Sequence, residues 1–163
     1  MASENNTVAK PQEWSINIAR DFDAPRDLVF KAWTQPEHLM KWLCPKDFVV
    51  TFVDMDLRPN GKWRSGMRSP EGTDYVMRGT YREVLEPERL VFTHSWEDTM
   101  QPGHLPEHET LITVTFTESR GKTTMIFEVA GLTSIEGRDG QALGWGQAFD
   151  NLDAHLLSSA PEA

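Results

Sequence analysis

The chain has 163 residues, 39% of them hydrophobic, enough for one domain that buries roughly 70% of the surface exposed by its extended form. Its 25 acidic and 16 basic residues leave a formal charge of −9, which repels phosphate backbones and excludes nucleic acid as an expected partner. The single cysteine, Cys44, excludes an internal disulfide, no apolar run is long enough for membrane insertion, and residues 1–10 are polar rather than signal-like, so a cytoplasmic location is expected.

One domain is expected over residues 14–158, between an N-terminal tail of 1–13 and a C-terminal tail of 159–163. From Trp14 to Phe22, Ile16, Ile18 and Phe22 recur at a period of two, the pattern of a half-buried strand. A helix follows, with Asp23 as its expected N-cap, Pro25 in the first turn, and Leu28, Val29, Ala32 and Trp33 at helical spacing. Thr34 and Pro36 divide it from a second short helix carrying Leu39, Trp42 and Leu43, which Pro45 ends.

The period then falls to two and stays there for most of the chain. Residues 48–57 read as a strand closing at Pro59-Asn60-Gly61, where Asn-Gly suits the positive φ angles of a tight hairpin. The return strand sets Trp63, Ser65 and Met67 on one face and Lys62, Arg64 and Arg68 on the other. The same alternation carries Tyr75, Met77 and Tyr81, then Leu90, Phe92, His94 and Trp96, then Ile112, Val114 and Phe116, and lastly Met125, Phe127 and Val129. Turns are expected at 86–88 and 119–121, with a longer loop over 98–108, a length that often gates a binding site.

After Gly131 the helical period returns. Asp139 is the expected cap, and Ala142, Trp145, Phe149, Leu152 and Leu156 form a stripe at steps of three and four. A helix over 138–158 is roughly 30 Å long at ~1.5 Å per residue, and the concave face of the strand meander is the surface wide enough to receive it. The fold class is therefore α+β, a curved antiparallel sheet wrapped around a long C-terminal helix, with two short helices after the first strand.

The inward faces are rich in rigid rings and in Met. Trp33, Trp63, Met67, Tyr81, Phe92 and Trp96 belong to this set, as do Phe127, Val129, Trp145 and Phe149, with Ser65 and His94 as polar members. Small-molecule pockets are lined in this way, by apolar and aromatic groups with a few orienting polar atoms; an aromatic core is the other reading of the same pattern. Gly144 and Gly146 flank Trp145 inside the last helix, where each costs about 1 kcal/mol relative to Ala, so a packing or space-making role is expected.

Several segments together resemble the family named after the C-terminal domain of the activator of the ninety-kilodalton heat-shock protein ATPase, within the START-like (SRPBCC) superfamily. They are Asp23-Ala24-Pro25 with Val29 to Thr34, Pro36-Glu37-His38 to Trp42, Asp56 to Trp63, Gly79-Thr80-Tyr81, Pro87 to Thr93, and Gly144-Trp145 through Asn151-Leu152 to Leu156. The resemblance implies a helix-grip fold with a cavity between sheet and C-terminal helix. His94 and Val129 stand where relatives often place Trp and His, so the polar contacts of such a cavity would be particular to this chain.

Other chemistry finds less support. His104 and His108 have the spacing of two metal ligands on one helical face, but Gly103 and Pro106 oppose a helix there, and no metal is expected. No nucleophile elbow is present, Cys44 has no basic neighbour in sequence, and Gly144-Trp145-Gly146 lacks the third glycine of a dinucleotide loop, so no cofactor is expected. Asp54 and Asp56 share a strand face, where a salt bridge to Arg58 competes with any acid–base role. His94 reads either as a satisfied core histidine or as a group that orients a ligand or takes a proton. The leading expectation is a binder of a small apolar or aromatic ligand, lipid-, polyketide- or xenobiotic-like. The alternatives are a cyclase- or hydrolase-type enzyme using His94 or Tyr81 in the same cavity, and a chaperone co-factor acting through its surface on a protein partner or as a homodimer.

Overall fold

A computed structural model describes residues 14–97 and 109–159. The chain runs β1 (Trp14–Phe22), α1 (Arg26–Thr34), α2 (Pro36–Trp42), β2 (Val49–Met55), β3 (Lys62–Arg68), β4 (Asp74–Leu85), β5 (Arg89–Glu97), β6 (Thr110–Ser119), β7 (Lys122–Leu132) and α3 (Ile135–Ser159). The seven strands form one antiparallel sheet in the order β1-β7-β6-β5-β4-β3-β2, curved around α3. The first strand thus pairs with the last, and the two edges are β1 and β2.

Alternation of side chains explains the sheet. Ile112, Val114 and Phe116 of β6 lie opposite Val129, Phe127 and Met125 of β7, and all six are buried on the concave face. Register shifts in β1, β2 and at Tyr81/Glu83 of β4 mark bulges, which bend the strands that carry them. The turn at 119–121 is a two-residue hairpin in which Arg120 (φ 58°) and Gly121 (φ 79°) both take the left-handed conformation such a turn demands.

Three local details differ from expectation. The β2–β3 connection is not a two-residue turn: residues 56–61 form a longer loop in which Asn60 alone has positive φ (71°), and backbone bonds from Asn60 and Tyr81 pin this loop to β4. Asp23 does not cap α1, whose N-cap is Pro25; the Arg26 amide instead donates to Glu118 Oε1 of β6 at 2.7 Å, so the cap comes from a distant strand. Asp139 likewise does not cap α3, which begins three residues before 138; Ser134 Oγ accepts from the Gly137 amide at 2.9 Å, while Asp139 pairs with Arg138.

The helices lock together by tryptophan and by polar ties. Trp42 Nε1 donates to the Ala32 carbonyl at 2.9 Å, stapling α2 to α1. The polar side of α3 is used too: Asn151 donates to the Cys44 carbonyl at 2.9 Å, Gln147 accepts from the Lys46 amide at 3.1 Å, and Arg20 of β1 reaches Asp150 at 2.8 Å. Beneath them Trp145, Phe149, Leu152 and Leu156 are buried, as the helical stripe requires.

Candidate functional site

Helix α3 makes its backbone contacts with β1, β7, α1 and α2, and so leans on one side of the curved sheet. Its N-terminal half stands away from β3, β4 and β5. The result is a cavity of about 400 Å³, partly open to solvent. Its sheet wall carries Met67, Tyr75, Met77, His94 and Trp96; the segment after α2 adds Leu43, Cys44, Pro45 and Phe48. The helix wall is Glu136, Gly137, Gly140, Gln141, Gly144, Trp145 and Ala148.

Glycines open this space. A methyl group placed on Gly140 would meet nothing within 4 Å, and one on Gly144 would touch only Pro45 Cγ, at 3.8 Å. Gly137, Gly140 and Gly144 follow one another at three and four residues, so they share the helix face that looks into the cavity. That spacing was visible in the sequence and is the signal that would have located the cavity at this end of α3.

Of the side chains expected to form the site, Met67, His94, Trp96 and Trp145 line the large cavity. Trp33, Trp63, Ser65, Tyr81 and Phe92, again with Trp145, surround a separate void of about 30 Å³, the size of one or two waters. Phe127, Val129 and Phe149 line neither space and are fully packed, with Phe127 4.8 Å from Trp145 and 5.0 Å from Phe149 between ring centroids. Trp145 thus divides an aromatic core from an open chamber. Leu43, Cys44, Phe48, Tyr75, Met77 and Gln141 also belong to the chamber and were not among the expected site residues: Leu43, Tyr75 and Met77 follow the periods of α2 and β4 but nothing in those periods separates them from core residues, while the segment after α2 brings in Cys44 and Phe48 and a turn of α3 brings in Gln141.

His94 sits at the back of the sheet wall with 2% of its surface exposed. Its Nε2 lies 3.3 Å from Met77 Sδ, and its ring packs edge-on against Trp96 and Trp145 with centroids 5.4 and 6.1 Å away. Burial is the main influence on its titration and lowers its pKa to about 4, so the imidazole is uncharged at neutral pH. Cys44 donates weakly to the Phe48 carbonyl at 3.4 Å, and burial pushes its thiol up to about 11, which removes its nucleophilic form. Tyr81 is held protonated by burial, and the Ser65 hydroxyl donates to the Phe52 carbonyl at 3.3 Å. Gln141 Oε1 is buried without a hydrogen-bond partner among the described residues.

No metal-holding group of three or more His, Cys, Asp or Glu occurs among the described residues; His104 and His108 lie outside them, as does the 98–108 loop. Asp56 pairs with Arg58 at 2.9 Å on an exposed loop. No helix of the described chain is long and apolar enough to cross a membrane.

The model of the family described as activator of Hsp90 ATPase homolog 1-like protein matches residues 23–157, most of the chain. The chain belongs to this family. No curated protein matches it. Among solved structures, a Mycobacterium smegmatis protein is 27% identical with a TM-score of 0.72, the alignment covering 91% of this chain and 93% of that one. A Nitrosomonas europaea protein is similar at 24% identity and TM-score 0.75, over 88% and 94% of the two chains. The AHSA1 protein of Silicibacter pomeroyi is similar at 23% identity and TM-score 0.77, over 90% and 100%. These relatives share the helix-grip fold.

Proposed function

We propose that this family member binds a small apolar or aromatic ligand, of lipid, polyketide or xenobiotic type, in the chamber between the sheet and the N-terminal half of α3. The supporting observation is the chamber itself: about 400 Å³ walled by aromatic rings, two methionines and three helix glycines, a volume and lining typical of ligand sites. A stable core gains nothing from leaving such a space, since unfilled volume forfeits dispersion contacts and helix glycines cost conformational entropy. His94 fits an orienting role better than a general base, because a neutral imidazole so resistant to protonation takes up a proton poorly near pH 7. A cytoplasmic setting suits the free, buried Cys44.

Native mass spectrometry of the purified chain, followed by denaturing extraction, tests the reading. A stoichiometric apolar adduct is expected, and Gly144→Leu, which projects a side chain into the chamber, should lose it. An adduct kept by Gly144→Leu would place the ligand elsewhere. Full biological activity in a plugged, ligand-free variant would favour the surface-acting co-factor instead.

A further inference from the structure

Resting on the binding reading above, we propose that the chamber is acid-gated: double protonation of the His38–His155 pair, in the seam between α2 and α3, frees the segment after α2, and the chamber gives up its apolar ligand. His38 Nδ1 and His155 Nε2 lie 2.8 Å apart, with ring centroids at 5.1 Å, and both residues are half-buried. At that distance one nitrogen must donate and the other accept. A single added proton leaves this bond in place, because it enters at the outer nitrogen of the donor ring. A second proton sets two N–H groups and two positive charges against one another, and the pair must part.

The pair is one rung of a longer tie. Gln147, Asn151 and His155 follow one another at four residues, so they stand in one row that continues the Gly144 face along α3. Gln147 accepts from the Lys46 amide at 3.1 Å, and Asn151 donates to the Cys44 carbonyl at 2.9 Å. Every rung thus holds α2 or the segment after it, and that segment gives Leu43, Cys44, Pro45 and Phe48 to the chamber wall. Loss of the histidine rung leaves two neutral ones to hold the wall, of which the Lys46 bond is exposed to water.

The surroundings favour release. His155 is held below the ordinary histidine value first by burial and then by the positive charges of His38 and Lys41, both on α2. Glu37, beside His38, is exposed and does not act on His155. Asp150 is engaged by Arg20 at 2.8 Å, and Asp153, two positions before His155, lies on another side of α3. Among the described residues, no charge on α1, β1, β2 or β7, the other elements packed against these two helices, acts on His155. A second imidazolium therefore finds no compensating carboxylate. Inside the chamber His94 has a pKa of about 4, so it stays neutral while the seam opens.

Fluorescence titration of the full chain with N-phenyl-1-naphthylamine, an apolar probe that stays uncharged throughout, at pH 7.5 and 5.5 provides the test. Affinity should fall by about fivefold or more across that step, and the protection factor of the Lys46 amide in hydrogen exchange should fall with it. His155→Gln, which can bond to His38 in either protonation state but takes up no proton itself, should bind the probe equally at the two values. An affinity of the unmodified chain that does not change with pH, or a pH dependence that His155→Gln retains, overturns the gate while leaving the chamber a binding site. Should His155→Gln fail to fold, His38→Gln makes the same comparison, and unchanged Lys46 protection at pH 5.5 in the unmodified chain overturns the gate without any variant. Failure of the probe to bind at either pH overturns the binding reading itself, and the gate with it.

Discussion

At the scale of single residues, His94 and Gly79 show how one position carries a measurable consequence. His94 is neutral in the native state and holds a pKa of about 4, whereas in the unfolded chain it titrates near the ordinary histidine value of 6.5. Below pH 6.5 the unfolded state therefore takes up a proton that the native state refuses. Its contribution to stability is complete above that pH and falls as pH drops toward 4, by on the order of 3 kcal/mol. Urea titrations across this window should show the loss, and His94→Leu should flatten that part of the curve. Gly79 is a matter of approach: a methyl group there would run into the Thr93 carbonyl and stand 2.6 Å from Trp63 Nε1, the atom that donates to that carbonyl at 3.2 Å. Gly79→Ala should cost about 2 kcal/mol or more in urea unfolding, because the backbone of β5 has nowhere to go. Alternation along β5 was enough to turn His94 inward. Its charge state was not legible, since this depends on how many neighbours exclude water from the ring.

Among the elements, α3 is where stability and function pull apart. Its glycines weaken the helix, and Gly140 has open space where a side chain would stand. Gly140→Ala should raise stability by about 0.5–1 kcal/mol, seen as a melting temperature higher by about 1–4 °C, at the expense of chamber volume. At the start of the same helix, Ser134→Ala should cost about 1 kcal/mol by freeing the Gly137 amide, whereas Asp139→Ala should change stability by less than about 0.5 kcal/mol; thermal melts of the two variants separate them. The caps were the poorest part of the sequence reading, for a physical reason. Asp23 and Asp139 had the right chemistry at roughly the right place, but an amide is satisfied by whichever acceptor the fold brings near it. For α1 that acceptor is Glu118, more than ninety positions along the chain.

On the scale of the whole molecule, the contact between α3 and the sheet holds the two layers together through Trp145. Its ring packs on Phe127, Trp33 and Phe149 and forms the partition between core and chamber. Trp145→Asp should be severely destabilising, by about 4 kcal/mol or more in equilibrium unfolding, because it leaves an unpaired carboxylate among rings. Near-wild-type stability of that variant would refute this packing. Strand and helix periods were sufficient for the α+β class, the order of elements and the inward faces, because amphipathic patterning is local and each side chain's face follows from its own neighbours along the chain. The chamber was another matter. Twelve side chains of similar character pointed inward, and nothing in their spacing distinguishes a ring that packs from a ring that faces empty volume. That distinction rests on the lean of α3 toward β1 and on the loop after α2 closing over its glycine face, long-range arrangements that exist only once the sheet has curved.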